Sequence, residues 1–282
     1  MTLPEAPPSV TVTGASGFLG RAVVKELRSS GFGVLPVARS SGGDWNRIPD
    51  YSGSPSADIL IHLAEDSDRR RVNDEGEMYE AAANATFKAL LAKGYRRVVY
   101  ASSAAIYGDA SQSPRMVSEA VAAADTYARA KLANETLALA HGGSVLRFSN
   151  LYGPGMSPAN VVSAILRQVP GAGDLVLHDD SPVRDFLWIE DAAAAIAAAV
   201  SAGHTGLFNV GTGSGTSIGK LAEIALSLAG EEHREIRVDN PSDRISTLIL
   251  DIGETTRRIG WRPVTSIGDG MERLITRPPN QP

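Results

Sequence analysis

Val10-Thr-Val-Thr-Gly14-Ala-Ser-Gly17-Phe-Leu-Gly20 opens the first regular structure of the chain. A short β-branched run stops at Gly14. After Gly20, the apolar residues Ala22, Val23, Val24 and Leu27 recur at near-helical spacing. The three glycines therefore join a strand to a helix. Such a turn brings backbone N–H groups close to an anion, and the helix presents its positive end to the same charge. A glycine string alone is weak evidence. Between a strand and a helix it predicts a diphosphate cradle built from Gly14, Gly17, Phe18, Leu19 and Gly20.

The same rhythm continues downstream. Gly31 reads as a C-cap, and Val34 to Ala38 as a short strand interrupted by Pro36. Residues 40–57 are rich in Gly, Ser and Pro and read as a loop. Asp58-Ile-Leu-Ile-His-Leu-Ala64 is a continuous apolar strand of the kind buried in parallel sheets. Glu75 to Lys93 reads as a helix, Val98 to Ala101 as a strand, Asp125 to Ala140 as a helix and Ser144 to Phe148 as a strand. Strands alternating with helices predict right-handed βαβ units and a doubly wound parallel sheet, the α/β Rossmann arrangement. After Tyr152 the pattern changes, with Gly153-Pro-Gly155 followed by Pro158, Pro170, Pro182 and Pro241. We expect a dinucleotide-binding domain over residues 1–152 with 184–210 returning to it. A smaller C-terminal substrate-binding lobe would take 153–183 and 211–282. The tail from Arg277 to Pro282 is expected to fray.

Composition narrows the function classes. At about 150 residues per domain, the 282 residues allow two domains, or one large domain with an appended lobe. Lys plus Arg number 27 against 32 Asp plus Glu, a net charge of −5, so nothing suggests a nucleic-acid or anionic-membrane partner. There is no cysteine, which excludes disulfides, thiolate metal sites and thiol nucleophiles. His62, His141, His178, His204 and His233 show no paired ligand spacing, so no metal is expected. The N-terminus lacks a basic region and an apolar run, and the alanine-rich stretch Ala192 to Ala202 is about half a membrane span. A cytoplasmic protein is expected.

Two further features concern chemistry. No Asp or Glu occurs from Phe32 to Gly43, where an acidic residue would hold the adenosine ribose of a dinucleotide. Arg39 offers a cation to a 2′-phosphate instead, which favours NADP over NAD. The plainer reading of Arg39 is a solvated surface residue, and Asp44 would reach the ribose if the loop folds back. Tyr127-Ala-Arg-Ala-Lys131 sets a phenol and an ammonium at i and i+4 on one helix face. A free phenol ionises near pH ~10, and a neighbouring ammonium stabilises a phenolate. The spacing is common by chance. Ser102-Ser103 follows the fourth strand, at the carboxyl edge where open α/β sheets bind ligands. Ser103 there would hold a substrate oxygen, or simply cap a turn.

Taken in order, these segments resemble an extended short-chain dehydrogenase/reductase of the nucleotide-sugar epimerase/dehydratase group, from about Val10 to Ile275. The strand ending His62-Leu63-Ala64 resembles the family's strand beside the cofactor, which places Leu63 and Ala64 there. Tyr100-Ala-Ser-Ser103-Ala-Ala-Ile-Tyr107-Gly108 resembles the catalytic serine segment. Tyr127-x-x-x-Lys131 resembles the acid/base pair, whose lysine also bonds the nicotinamide ribose. Leu146-Arg-Phe-Ser-Asn150-Leu-Tyr152-Gly-Pro-Gly155 and Arg184-Asp185-Phe186 resemble segments whose Asn and Arg contact the substrate diphosphate. Asn209-Val-Gly211, Ser217 and Ile259-Gly-Trp261-x-Pro263 match later structural signatures. The resemblance implies catalytic Ser103, Tyr127 and Lys131, substrate contacts from Ser103, Asn150 and Arg184, a nucleotide-sugar substrate, and a homodimer built on the Tyr127 helix and the Glu75–Lys93 helix.

The departures bear on the reaction. Ala104-Ala105 stands where the family's 4,6-dehydratases carry Asp-Glu, which argues against that dehydration. Asn240-Pro241-Ser242-Asp243 lacks the family's substrate-lobe arginine, so that contact is absent or moved to Arg244 or Arg237. Glu65 follows Ala64 where a small residue is more usual. Residues 66–74 match poorly; Arg69-Arg70-Arg71 reads as a solvated face, or as a phosphate-gripping loop. The expectation is hydride transfer at a sugar carbon, C4 by preference, with a 4-keto-sugar reductase using NADPH favoured. A 4-epimerase with tightly bound NAD, a small-carbonyl reductase and a non-catalytic cofactor-binding protein are the alternatives.

Overall fold

The computed structural model describes residues 7–121 and 123–276. The tail expected to fray lies outside them. In chain order, β1 (Ser9–Thr13) runs through the glycine turn into α1 (Phe18–Ser29) and β2 (Gly33–Ala38). Next come β3 (Asn46–Arg47), a 3-10 turn at Tyr51–Gly53, β4 (Ile59–His62), α2 (Arg69–Glu75) and α3 (Glu77–Leu91). β5 (Arg97–Ser103) ends in a 3-10 turn at Ala104–Tyr107, followed by α4 (Thr126–Ala140), β6 (Ser144–Phe148) and β7 (Asn150–Tyr152). Then come α5 (Val161–Leu166), β8 (Leu175–Leu177), β9 (Val183–Arg184), β10 (Phe186–Trp188) and α6 (Ile189–Ala202). The last elements are β11 (Gly206–Val210), β12 (Thr216–Ser217), α7 (Ile218–Leu228), β13 (Ile236–Val238), β14 (Thr247–Leu248), α8 (Gly253–Ile259) and α9 (Ile267–Thr276).

Seven strands form one sheet in the order β11-β6-β5-β4-β1-β2-β3, and every neighbouring pair is parallel. The doubly wound sheet expected from the sequence is present. Alternation along each strand sorts its side chains to two faces. Ile59 and Ile61 of β4 join Val10, Val12, Val99, Leu146 and Phe208 under α1 and α6. Leu60 joins Val98, Tyr100 and Val145 on the other face, with Phe87 and Leu90 of α3 and Ala138 of α4. Both faces are covered, which is why these strands read as unbroken apolar runs. The alanines of α6 are short enough to let it lie close against Val23, Val24 and Leu27 of α1. No helix among the described residues is long and apolar enough to cross a membrane.

A second core gathers Tyr152, Val162, Ile165, Leu175, Trp188, Leu221 and Met271. Arg184 lies in a small sheet, with β9 antiparallel to β12 and parallel to β14. The chain rejoins the central sheet only at β11. Further on, Ile259 and Trp261 pack back into the α1–α6 core, so the two cores interleave along the sequence.

Two segments differ from their sequence reading. The 40–57 loop holds β3, which extends the β2 edge, and a 3-10 turn capped by the Asp50 side chain. The poorly matching 66–74 segment is largely helical, because Asp68 caps α2 by accepting from the Arg70 and Arg71 N–H groups. The expected Glu75–Lys93 helix starts at Glu77, since Gly76 takes φ +62 and breaks it from α2.

Candidate active site at the carboxyl edge of the sheet

β1 lies between β2 and β4, so the chain reverses its direction of winding there. At such a point the connections leave on opposite faces and open a crevice at the strands' carboxyl ends. The glycine turn closes β1 at this crevice, and Leu63, Ala64 and Glu65 close β4. Gly14 has φ +73, and a Cβ on it would stand 2.9 Å from the Leu63 carbonyl. A Cβ on Gly20 would run into the Gly14 carbonyl oxygen. Gly17 is the N-cap of α1, with no side-chain cap and no acidic residue in the first turn. The first N–H groups of α1, which include those of Phe18 and Leu19, are left for an external acceptor.

Arg39 follows β2 with an exposed guanidinium lying 5.6 Å over the Tyr51 ring. Asp44 does not fold back toward it; it pairs with Arg28 of α1 at 2.6 Å.

α4 begins at Asp125, whose side chain accepts from the Ala128 N–H. The Tyr127 ring is buried, 8% exposed, and its phenol makes no hydrogen bond with the described residues. Lys131 Nζ lies 5.9 Å from the centre of that ring and donates to the Ala101 carbonyl at 3.0 Å. This draws Lys131 against β5, two residues before Ser103. Ser103 Oγ accepts from the Ala105 N–H at 3.2 Å and so caps the 3-10 turn. Its own O–H remains available to donate. Lys131 also reaches Glu65, 2.9 Å away, and both side chains are buried. Burial works against the Lys131 charge, but Glu65 outweighs it and raises the ammonium above its ordinary value.

Asn150 opens β7, where its backbone N–H donates to the Asp185 carbonyl at 2.9 Å. Its side-chain amide makes no hydrogen bond with the described residues. Arg184 donates to the Ser246 carbonyl at 2.7 Å, to Ser246 Oγ at 2.8 Å and to Asp109 at 3.1 Å. Arg244 grips the same Asp109 carboxylate at 3.0 and 2.9 Å. Burial disfavours the Asp109 charge, yet the bonds from Arg244 and Ser246 and the charge of Arg184 hold its carboxyl down to about 2. Of the two arginines considered as replacements in the substrate lobe, Arg244 stands beside Arg184. Arg237 pairs with Asp239 at 3.2 Å on an exposed edge. The Arg69–Arg71 run is a solvated helical face: Arg69 binds Asp125 at 2.6 Å and Arg71 binds Glu75 at 2.9 Å.

Two residues near these groups escaped the sequence reading. Asp109 has no periodicity or spacing to mark it. Ser149 is 8% exposed, and its hydroxyl is buried without a hydrogen-bond partner among the described residues. Its one signal in the sequence is its place between the buried strand β6 and Asn150.

A doubly wound parallel sheet with a glycine turn at its point of reversal, and a Tyr–Lys helix against the next strands, defines a Rossmann-type α/β protein. The model of the NAD dependent epimerase/dehydratase family matches residues 10–211, and the chain belongs to that family. UDP-glucose 4-epimerase of Mycolicibacterium smegmatis is 26% identical, covering 94% of this chain and 96% of its own. The dTDP-6-deoxy-L-talose 4-dehydrogenase (NAD(P)(+)) of Kitasatospora kifunensis is 28% identical over 98% of both chains. Among solved structures, MoeE5 in complex with UDP-glucuronic acid and NAD superposes with a TM-score of 0.81 at 26% identity, covering 95% of this chain and 98% of its own.

Proposed function

We propose that the chain reduces a 4-keto nucleotide sugar with NADPH. The observation that carries this reading is the Tyr127 phenol, free of hydrogen bonds to the described residues and one helical turn from a buried ammonium, at the same sheet edge as the glycine turn. The cradle fits a dinucleotide diphosphate, because side chains at Gly14 or Gly20 would close it. When bound, the nicotinamide supplies the hydride. Tyr127 delivers a proton to the sugar oxygen, Ser103 donates a hydrogen bond to that oxygen, and Lys131 favours the phenolate left behind. Leu63 and Ala64 would flank the cofactor, and Arg39 would offer its guanidinium to a 2′-phosphate. Asn150 and Arg184 hold the substrate diphosphate, with Arg244 in place of the arginine that Asn240 does not provide. Arg184 and Arg244 face the Asp109 and Asp179 carboxylates, so what they offer such an anion is guanidinium N–H donors rather than surplus charge. The Kitasatospora relative, named for a 4-dehydrogenation with NAD(P)(+), supports the choice of reaction and cofactor.

The M. smegmatis relative favours a second reading, a 4-epimerase that keeps its NAD. One assay separates them. Purified protein is given a 4-keto dTDP-sugar with NADPH or NADH, and separately UDP-glucose with neither. Consumption of NADPH in preference to NADH is the expected result, and Tyr127→Phe should abolish it while leaving NADPH binding mostly intact. Interconversion of UDP-glucose and UDP-galactose without added cofactor would establish the epimerase instead. Turnover surviving in Tyr127→Phe would end the proton-transfer scheme.

A further inference from the structure

Lys131 is gripped from two sides within the protein. Its Nζ lies 2.9 Å from Glu65 Oε2 and 3.0 Å from the Ala101 carbonyl oxygen. An ammonium carries three N–H groups, so one is left for another acceptor. Glu65 is itself fully engaged. Its side chain is 4% exposed, the Tyr100 hydroxyl donates to both its oxygens at 2.9 Å, and Asn134 Nδ2 donates at 2.7 Å. The proton transfer assigned to Tyr127 makes no use of this carboxylate, yet burying a charge this deeply is costly without a partner. Its partner is Lys131, the cation beside the Tyr127 ring.

We propose that Glu65 is a positioning residue for cofactor binding: it holds Lys131 charged and aimed, so that the remaining N–H meets the ribose hydroxyls of the nicotinamide nucleotide. The proposal rests on the dehydrogenase reading above. The titratable groups facing Lys131 are Glu65 and His62 at the end of β4, Tyr100 of β5, Tyr79 of α3 and Tyr127 of α4. Burial drives His62 down to about 4, so it is neutral at ordinary pH. Burial raises the Tyr79 phenol to about 12, and burial together with Glu65 raises Tyr100 well above its usual range. Glu65 is thus the anion that keeps the lysine protonated. Without it, the largest opposition to burial is gone, and Lys131 gives up its proton at lower pH.

The test needs no substrate. NADPH and NADH are titrated into the purified full-length protein, followed by nicotinamide fluorescence, from about pH 6 to about pH 9.5, a range below the ordinary lysine pKa. Wild type should show little change in Kd that depends on Lys131. Glu65→Gln should bind nearly as wild type at the acid end and about tenfold more weakly at the alkaline end, the loss of one charge-assisted hydrogen bond. Glu65→Asp keeps the charge but draws it back by a methylene, so it should bind more weakly at every pH without the added slope. If Glu65→Gln does not fold, Glu65→Asp carries the test. A purely structural role would lower Tm and leave Kd and its pH dependence as in wild type; that result overturns the proposal alone. A wild-type protein that binds neither nucleotide overturns the dehydrogenase reading as well.

Discussion

His62 is 1% exposed, stacks on Phe87 at 4.9 Å between ring centres, and places Nδ1 2.8 Å from Thr13 Oγ1. Burial lowers its ring from 6.5 to about 4, although Glu65 pulls the other way. Between those values the unfolded chain holds a proton that the folded chain does not, so stability rises with pH through that window. The contribution is fully present above about 6.5 and is lost as pH falls toward about 4. The shift corresponds to about 3 kcal/mol at most. Urea unfolding followed across this range should show the decline, and His62→Gln should flatten it; an equal slope in both proteins would refute the assignment. At this scale, what the sequence discloses is local. Tyr127 and Lys131 are legible because i, i+4 spacing is a local fact, and Ser103 because it ends an apolar strand. Glu65 stands out only as an unusual residue, since its contact with Lys131 depends on how β4 and α4 pack. The Asp109–Arg244 pair spans 135 residues, and no short pattern encodes it.

Elements follow the same logic. The glycine turn, β4, β5, α4 and β6 are all legible, because uniform burial or good helix formers give them a period. The 40–57 and 66–76 segments are not, because side-chain caps and single glycines shape them. Asp68 starts α2, and Gly76 ends it with φ +62 and ψ −141. A Cβ on Gly76 would meet nothing within 4 Å, so any cost of Gly76→Ala comes from the backbone alone. That conformation is poorly accessible to an L side chain, and we expect a loss of about 1–3 kcal/mol. Urea unfolding should show a lower midpoint with an unchanged m-value. An unchanged or higher midpoint would mean that α2 and α3 join without strain.

On the scale of the whole molecule, the division into two lobes remains our proposal, and the two cores interleave along the sequence. The packing of Ile259 and Trp261 against the α1–α6 layer is a tertiary event with no local marker. The outer surface of α3 and α4 raises a question of assembly. Met78 is 80% exposed, Leu139 of α4 is 40% exposed, and Ala81, Ala82 and Ala85 are exposed as well. Positions 78, 81, 82 and 85 recur at three- and four-residue steps, so they share one helical face. Small side chains there would let a second helix approach closely, and α4, which carries Tyr127, packs directly against α3. We propose that two copies of the chain join across this face. Sedimentation equilibrium should then return twice the chain mass of 29.6 kDa for wild type. Ala82→Arg puts a long cation at the centre of the face without disturbing the interior of the monomer, so it should give the single-chain mass with an unchanged circular dichroism spectrum. A monomeric wild type, or an Ala82→Arg protein that stays dimeric, would show that this face has another use, and that the Tyr127 helix is braced by α3 of its own chain alone.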